Sequence, residues 1–360
     1  MATLLLPLTF LQSMVHISEY LLTMVIKIHF GDIVNENDSM DHAMKSDSRR
    51  HLLAEIASMY YLERRSQNEI ALEFGYSRSA ISRLLTEAEL SGVVEHKINF
   101  PSIRNVELEE KLINRYQLRN AIVVNRGKLS YTQTLHFVGE QGADVFSKLT
   151  GDDQIISIST GTSIYEVVNA LKPCQVTNVK IIQLLGAMGV KSDPSVDGPE
   201  LAGSLAKKVH GSYYALNAPM LMDSKNSRDM MLREKSIMST VELAYKSDIV
   251  LAGVGCITEE PHDSSVVRMG YMQAHEFIEI RKQGAVGYTC GWFFNDKGKI
   301  IEGQINDRVV AADFRRIREG KAVVLAIAAG ERKAPAIKAA LEGNLLDILI
   351  TDSSAVEAFL

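Results

Sequence analysis

Cysteine is scarce in this sequence of 360 residues, where it occurs at Cys174, Cys256 and Cys290 alone. The three lie far apart, outside any CxxC pair or histidine cluster, which argues against a disulfide framework and a structural zinc site. This usage fits a reducing cytoplasm, and no pattern indicates a metal or another cofactor. The chain also lacks an excess of positive charge, since its formal net charge is −5. Any contact with nucleic acid must therefore depend on a few locally placed cations.

The sequence has no long uninterrupted hydrophobic run, and its most apolar stretch is residues 1–30. Five polar side chains break this stretch: Gln12, Ser13, His16, Ser18 and Glu19. It therefore falls short of the roughly 18 apolar residues of a membrane-spanning helix, and it lacks the basic start and cleavage site of a signal peptide. We interpret residues 1–47 as a leader of doubtful function or the product of a start codon assigned too early, with Met40 or Met44 as the alternative. A membrane-tethered sensor would require this leader to be retained.

Apolar periodicity predicts three short helices after the leader: His51–Leu62, Gln67–Phe74 and Arg78–Leu90. Ser66 and Glu69 have the spacing of a capping box, in which each side chain accepts from the other's free backbone amide. Gly75 permits the positive φ of a tight turn, and Ser77 is an N-cap for the third helix. The segment therefore folds as two helices joined by a glycine turn, preceded by a third.

The spacing of Ala71, Gly75 and Ile81 matches the steric skeleton of a helix-turn-helix, in which a small residue and a glycine let two helices approach closely. With Ile81, Leu84 and Leu85 facing inward, the third helix exposes side chains able to reach phosphates and base edges. These predicted DNA-binding residues are Ser77, Arg78, Ser79, Ser82, Arg83 and Thr86. The β-rich stretch Val93–Phe100 is interpreted as a wing.

A helical hairpin that never touches DNA is the alternative interpretation of this segment. Between Ser48 and Asn99 the seven Lys and Arg residues are balanced by seven Asp and Glu residues. However, the acids lie mostly on the first two helices and the far end of the third, whereas Arg78 and Arg83 lie in its N-terminal part. We favour DNA binding because the capping box, the turn and the packing positions agree.

Beyond a charged helix at Val106–Tyr116, short apolar runs alternate with helical stretches, a pattern typical of an α/β domain with a largely parallel sheet. The predicted strands are Ala121–Val124, Ile155–Ser159, Val179–Leu185, Ser212–Leu216, Ile249–Gly253, Val323–Ala328 and Ile348–Thr351. A hydrophobic content of 46% supplies enough apolar material for two or three domains. The fold class is thus α/β, with an N-terminal winged helix-turn-helix at 48–100 and a larger, mostly parallel domain at 101–360.

Ligands of such sheets bind at the carboxyl ends of the strands, and three loops there have suitable chemistry. Thr160, Gly161, Thr162 and Ser163 open a helix with a glycine flanked by hydroxyl groups, which suits an anion such as phosphate. Gly253 and Gly255 follow another strand and let a ligand approach the backbone. Lys333 follows a third strand and supplies a cation. The three loops together predict an anionic ligand.

Six stretches carry a resemblance to a known family: SQNEIALEFGYSRSAISRLL, YYALNAPMLMDS, AYKSDIVLAGVG, SSVVRMGYMQAHEF, GAVGYTCGWFFNDKGKII and AAGERKAPAIKAALEGNLLDILITDSSA. From about Ser48 to Leu360 the chain resembles the SorC-type family of sugar-binding transcriptional regulators. The resemblance implies an effector domain similar to the glucosamine-phosphate isomerase/deaminase fold, a homo-oligomer (tetramer or dimer), operator DNA as a partner, and a phosphorylated sugar or polyol as inducer.

Carried over by position, the family's anion loop falls on Thr160 to Ser163, its substrate-side loop on Gly253 and Gly255, and its phosphate-contacting lysine on Lys333. Two departures stand out. The family commonly reads GAVGD where this chain has Gly284 to Tyr288, so an acid is replaced by Tyr288. Some members place an arginine just before the glycine turn that here reads Leu185-Gly186.

A catalytic sugar-phosphate isomerase or deaminase on the same fold is the alternative function. That chemistry needs a carboxylate or histidine placed to move protons on the sugar. The candidates are Asp197, Glu200, His262 and Asp263, which form no recognisable acid/base constellation. We therefore assign no catalytic residues and expect a cytoplasmic regulator, whose operator, effector sugar and direction of regulation the sequence does not specify.

Overall fold

The computed structural model describes residues 48–94, 104–187, 194–268, 270–303 and 305–360. The chain divides into two compact units, the first ending at Asn99 and the second beginning at Phe100. The predicted leader and most of the predicted wing lie outside the described residues, so both stay predictions. Within the described ranges, no helix is long and apolar enough to cross a membrane.

The first unit has three helices. Helix α1 covers 48–62, and its last turn, Ser58–Leu62, is π-helical; α2 is Gln67–Phe74 and α3 is Arg78–Leu90. The predicted capping box is confirmed, since the Glu69 amide donates to the Ser66 hydroxyl and the Ser66 amide donates to the Glu69 carboxylate over 2.8 Å. Gly75 has a φ of 68°, as the turn requires, and Ser77 caps α3 by accepting from the Ala80 amide.

A separate small core holds these helices together. Ala71, Ile81, Leu84 and Leu85 are buried, as predicted, and they pack with Ile56 and other residues of α1. Because α3 is fixed along this apolar stripe, its opposite face is left to solvent.

The second unit is an α/β domain. Its strands are β1 Asn120–Val124, β2 Ile155–Ile158, β3 Lys180–Gln183, β4 Ser212–Tyr214, β5 Ile249–Cys256, β6 Ala285–Thr289, β7 Trp292–Asn295, β8 Val323–Ile327 and β9 Ile348–Asp352. Its helices are α4 Val106–Tyr116, α5 Tyr131–Leu149, α6 Thr162–Ala170, α7 Gly198–Lys208, α8 Lys225–Arg233, α9 Lys235–Ala244, α10 Ser265–Arg268, α11 Ala274–Lys282, α12 Phe314–Glu319, α13 Ala334–Glu342 and α14 Ser353–Glu357.

Seven strands pair in the order β1-β9-β8-β5-β2-β3-β4, and all of these pairs are parallel. The predicted strands all occur within a few residues of their expected ends. In the central strands, successive side chains enter two different apolar clusters, as Ile249 and Val250 do, so the middle of the sheet is buried on both faces. Strands that are buried on both faces appear in the sequence as near-continuous apolar runs, as they do here.

The hairpin of β6 and β7 was not predicted. Strand β5 continues past Gly253 to Cys256, where it leaves the parallel sheet and pairs antiparallel with β6. Gly287, Cys290 and Gly291 interrupt the apolar alternation of this stretch, which hides it from a periodicity argument. The hairpin matters because it forms one wall of the cavity described next.

Candidate DNA-contacting helix and ligand cavity

The outer face of α3 is exposed at every predicted DNA-binding position. The side chains of Arg78, Ser79, Ser82, Arg83 and Thr86 all face solvent, as does Ser77 at the cap. Some of their polar atoms already have local partners. The Ser77 hydroxyl caps the helix, and Thr86 donates to the Ser82 carbonyl over 3.1 Å. Arg83 makes one weak contact with the Ser79 carbonyl at 3.4 Å.

Several acids of this unit are engaged by partners away from the outer face of α3. Glu87 forms a bidentate pair with Arg49, at 2.9 and 2.6 Å, and Glu73 pairs with Arg65. Glu69 is held in the capping box. Among the described residues, Arg78 and Arg83 form no ion pair within 4 Å. An even balance of charge in the sequence is therefore compatible with a locally cationic helix.

In the second unit, the seven residues predicted to bind an effector line one cavity. They come from the ends of β2, β5 and β8, which are neighbours in the sheet, so their loops meet at one edge. The cavity has a narrow part of about 70 Å³ and a wider part of about 440 Å³. The narrow part is lined by Thr160, Gly161, Thr162, Ser163, Gly253, Gly255 and Lys333, among others. That these residues bind an effector stays a prediction.

The loop after β2 leads into α6 through Gly161, whose φ of 116° is outside the range that other residues readily adopt. The Gly161 amide donates to the Val196 carbonyl over 3.1 Å, so it is not available to a ligand. The amides of Thr162 and Ser163 are the first two of the helix and have no acceptor within it. They are the backbone donors that the loop offers to the cavity.

Ser163 provides a further feature that the sequence could not show. Its side chain is only 4% exposed, and its hydroxyl has no hydrogen-bond partner among the described residues. A buried hydroxyl without a partner costs free energy, about 1–3 kcal/mol, unless a ligand or water satisfies it. Thr160 differs, since its hydroxyl accepts from Tyr271 at 3.2 Å.

Gly253 and Gly255 contribute in different ways. The backbone of Gly253 is fixed, because its amide donates to the Ser159 hydroxyl and its carbonyl accepts from Thr289. At Gly255 an added Cβ would overlap the ring of Tyr288. The close approach of this ring therefore requires glycine at position 255.

Tyr288 and Leu185, at the two departures from the family pattern, both line the narrow part of the cavity. Tyr288 lines the wider part as well, and its ring lies 5.3 Å from that of Phe293. An aromatic ring thus stands where the family commonly has an acid.

Lys333 ends a 3₁₀ turn, Glu331–Lys333, just before α13. Its ammonium group forms no ion pair within 4 Å among the described residues. Burial lowers the pKa of Lys333, although the nearby Cys256 and Asp352 partly oppose that shift. Asp352 is fully buried and accepts from the Gly330 amide over 2.5 Å, which fixes the turn that carries the lysine.

The sequence did not single out several cavity residues that come from distant segments. They are Met220, Tyr271, Cys290 and Phe293 in the narrow part, and Arg126, Tyr131, Ser264, Arg268 and Arg332 in the wider part. Tyr271 lies in one of the stretches that resemble the family, which is a signal that could have identified it. Arg268 and Arg332 also lie in such stretches, whereas Arg126 and Tyr131 lie outside all of them.

The chain is similar to known transcriptional regulators and to a known domain family. A family profile described as "Putative sugar-binding domain" matches residues 101–360. The chain is 29% identical over 310 residues to the deoxyribonucleoside regulator of Bacillus subtilis, covering 86% of this chain and 97% of that protein. It is 24% identical over 323 residues to the sorbitol operon regulator of Klebsiella pneumoniae, covering 88% of this chain and 100% of that protein.

The fold is similar to solved structures of the same kind. The full-length sorbitol operon regulator of Klebsiella pneumoniae matches with a TM-score of 0.66 and 23% identity, over 85% of this chain and 97% of that one. A transcriptional regulator from Listeria monocytogenes matches with a TM-score of 0.63 and 25% identity, over 71% of this chain and 99% of that one.

Proposed function

The chain belongs to the SorC-type family of sugar-binding transcriptional regulators, and from this premise we propose that a phosphorylated sugar or polyol controls its binding to operator DNA. Residues 48–100 form the DNA-binding domain and residues 101–360 the effector domain. The effector binds in the cavity at the carboxyl edge of the sheet. As a reader of operator DNA the protein acts in the cytoplasm, as a tetramer or dimer.

A set of converging anion-binding groups carries the proposal that the effector is phosphorylated. The first amides of α6, the Ser163 hydroxyl and the Lys333 ammonium all line the narrow part of the cavity, and among the described residues the hydroxyl has no hydrogen-bond partner and the ammonium no ion pair. Helix N-terminal amides and a lysine are a recurrent combination for phosphate. A neutral sugar would leave the lysine without a counter-charge in a partly buried place.

Binding without catalysis is favoured by the position of the acidic groups. Of the four candidates, Asp197 caps α7, Glu200 accepts from Ser204, and His262 is an exposed residue of a 3₁₀ turn. Asp263 lines the wider part of the cavity, but it is paired with Arg332. An isomerase or deaminase needs a free acid or base within reach of the sugar. We assign none.

Operator binding is assigned to the exposed face of α3. Arg78 and Arg83 are long, exposed and unpaired among the described residues, so they can reach phosphates or the base edges of guanine in a major groove. The family membership supports this assignment, since its members read DNA.

The test replaces Lys333 by Ala and follows the operator complex by fluorescence anisotropy, using an operator selected from random duplexes. A thermal-shift screen of phosphorylated sugars and polyols first identifies the ligand. The variant should keep its operator affinity, yet need about tenfold or more sugar phosphate for the same response, because one charge-assisted hydrogen bond is lost. The non-phosphorylated sugar should hardly distinguish variant from wild type.

Lys338→Ala is the matched control, because Lys338 lies on the adjacent helix α13 and pairs with Glu342 on its outer side. It should respond as the wild type does. An equal loss for both forms of the sugar in Lys333→Ala, or no loss for either, would show that Lys333 does not bind phosphate.

A further inference from the structure

The wider part of the cavity is strongly cationic. Its wall includes Arg126, Arg268, Arg332 and Lys333, against the carboxylates of Asp263 and Glu331. One lysine and the start of α6 are sufficient for a single phosphate, so three arginines exceed what a monophosphate requires. Like charges gathered around one open space repel one another and favour occupation by an anion.

The three arginines are held by single contacts that leave most of their donors unused. Arg126 donates from Nη1 to the Ser354 hydroxyl over 2.9 Å, and Arg268 donates from Nη1 to the Asp263 carbonyl over 2.8 Å. Arg332 pairs with the Asp263 carboxylate. A guanidinium has five N–H donors, so each of these side chains is oriented and still able to bind a carboxylate or phosphate.

Ser264 is a second, independent indication of a ligand in the wider part. Its side chain is 2% exposed, lines this part of the cavity, and has a hydroxyl without a hydrogen-bond partner among the described residues. Each part of the cavity therefore contains one buried hydroxyl without a partner among the described residues: that of Ser163 in the narrow part and that of Ser264 in the wider part. Buried polar atoms in native proteins are nearly always satisfied, so both parts are expected to be occupied.

The two parts are adjacent. Thr162, Gly255, Tyr288 and Lys333 line both of them, so the groups at the start of α6 and the three arginines lie on either side of these four residues. The ring of Tyr288 is close to Gly255, where both parts meet. An acid at position 288 would have added a negative charge beside the same cations, whereas the tyrosine adds none.

We propose that the effector is a sugar phosphate with a second anionic group, a carboxylate or a second phosphate, which binds Arg126, Arg268 and Arg332 beside Ser264. This inference rests on the proposed function and names the class of its ligand. The phosphate binds at the start of α6 and Lys333, and the second anion binds in the wider part.

The test compares three chemical forms of one sugar with the full chain by isothermal titration calorimetry. The pentose series is ribose 5-phosphate, 5-phosphoribonate and ribose 1,5-bisphosphate. The hexose series is glucose 6-phosphate, 6-phosphogluconate and glucose 1,6-bisphosphate. In at least one series a two-anion form should bind about tenfold or more tightly than the monophosphate, and the preferred form separates a carboxylate from a phosphate.

Arg268→Gln should raise the dissociation constant of the two-anion form about tenfold and change that of the monophosphate by less than about twofold. The matched control is Arg281→Gln, because Arg281 is also exposed and also donates one bond to a backbone carbonyl, that of Glu259 at 2.7 Å. The control should bind as the wild type does. Thermal midpoints without ligand show whether either variant is misfolded. Arg126→Gln tests the same anion site if Arg268→Gln does not fold.

The outcomes separate this inference from the function on which it depends. If monophosphates bind as tightly as two-anion forms, or if Arg268→Gln and Arg126→Gln weaken all forms equally, the second anion site is wrong and the sugar-phosphate function stands. If neither series binds and no phosphorylated sugar or polyol of the thermal-shift screen binds, both are wrong.

Discussion

The DNA-contacting helix and the ligand cavity present their chemistry in opposite ways. Helix α3 displays its polar side chains on the outer face of 13 consecutive residues. The cavity is assembled from Thr160 to Lys333, residues far apart in the chain, and depends on buried hydroxyls, backbone amides and glycines. A change of one exposed side chain on α3 should therefore leave the fold of its unit intact, whereas the cavity depends on the close approach of backbone segments.

Charge is also arranged differently in the two regions. In the first unit, ion pairs such as Arg49–Glu87 engage several acids away from the outer face of α3, so two arginines on that face have no ion pair among the described residues. In the narrow part of the cavity the cation is Lys333, which is partly buried, and burial lowers its pKa. We therefore expect that operator binding and effector binding, called reading and sensing below, can be disrupted separately.

The largest effect is expected for Ile81→Ala, which removes a fully buried side chain from the small core of the first unit. Large-to-small changes of this kind cost about 2–5 kcal/mol of the free energy of unfolding. A small three-helix unit has a low free energy of unfolding, so this loss should unfold it and abolish operator binding. Calorimetry should show one unit destabilised while sugar-phosphate binding is kept; loss of both activities would contradict the separation.

A smaller effect, on the sensing side, is expected for Gly255→Ala. The new Cβ meets the Tyr288 ring, and overpacking of this kind costs about 1–3 kcal/mol. Gly253→Ala is the matched control, since its Cβ would lie 3.5 Å from the nearest atom. Thermal midpoints should show a loss of stability for the first variant only. Restoration of stability by Tyr288→Ala in the Gly255→Ala background would identify the ring as the cause.

On the reading side, Arg78→Ala or Arg83→Ala should weaken operator binding by about 1–3 kcal/mol if the arginine makes a bidentate base contact. Neither change should alter the free energy of unfolding, because both side chains are exposed. Electrophoretic mobility shifts measure the affinity. Arg50→Ala is a control, as an exposed arginine of α1. Unchanged affinity in both α3 variants would contradict the docking of this helix.

The smallest effect is expected for deletion of residues 1–39. We predict undiminished operator affinity and effector response, because no predicted site lies in that segment. Sedimentation of the truncated protein and its operator titration would check this. A loss of solubility, or of an association with membranes, would mean that the leader has a function.

Sequence reasoning succeeded where the signal is local. The capping box of Ser66 and Glu69, the turn at Gly75 and the seven parallel strands each follow from short patterns of polar and apolar residues. The same patterns located the loop of Thr160 to Ser163, because helix starts after strands are local features too.

It failed where the structure depends on contacts between distant segments. The hairpin of β6 and β7 has no clear alternation, and β5 extends to reach it only because of that pairing. The Gly161 amide was expected to face a ligand, but it is bonded to Val196, a residue 35 positions away in the chain. The packing of Tyr288 on Gly255 and the gathering of Arg126, Arg268 and Arg332 likewise require the folded sheet.

The separation of reading from sensing is tested most directly by titrating the same operator with Arg78→Ala and Lys333→Ala, each with and without the sugar phosphate found by thermal shift. Arg78→Ala should lower operator affinity and leave the half-effective sugar-phosphate concentration unchanged, whereas Lys333→Ala should do the reverse. A shift of both quantities by similar factors in either variant would contradict the independence of the DNA-contacting helix and the ligand cavity.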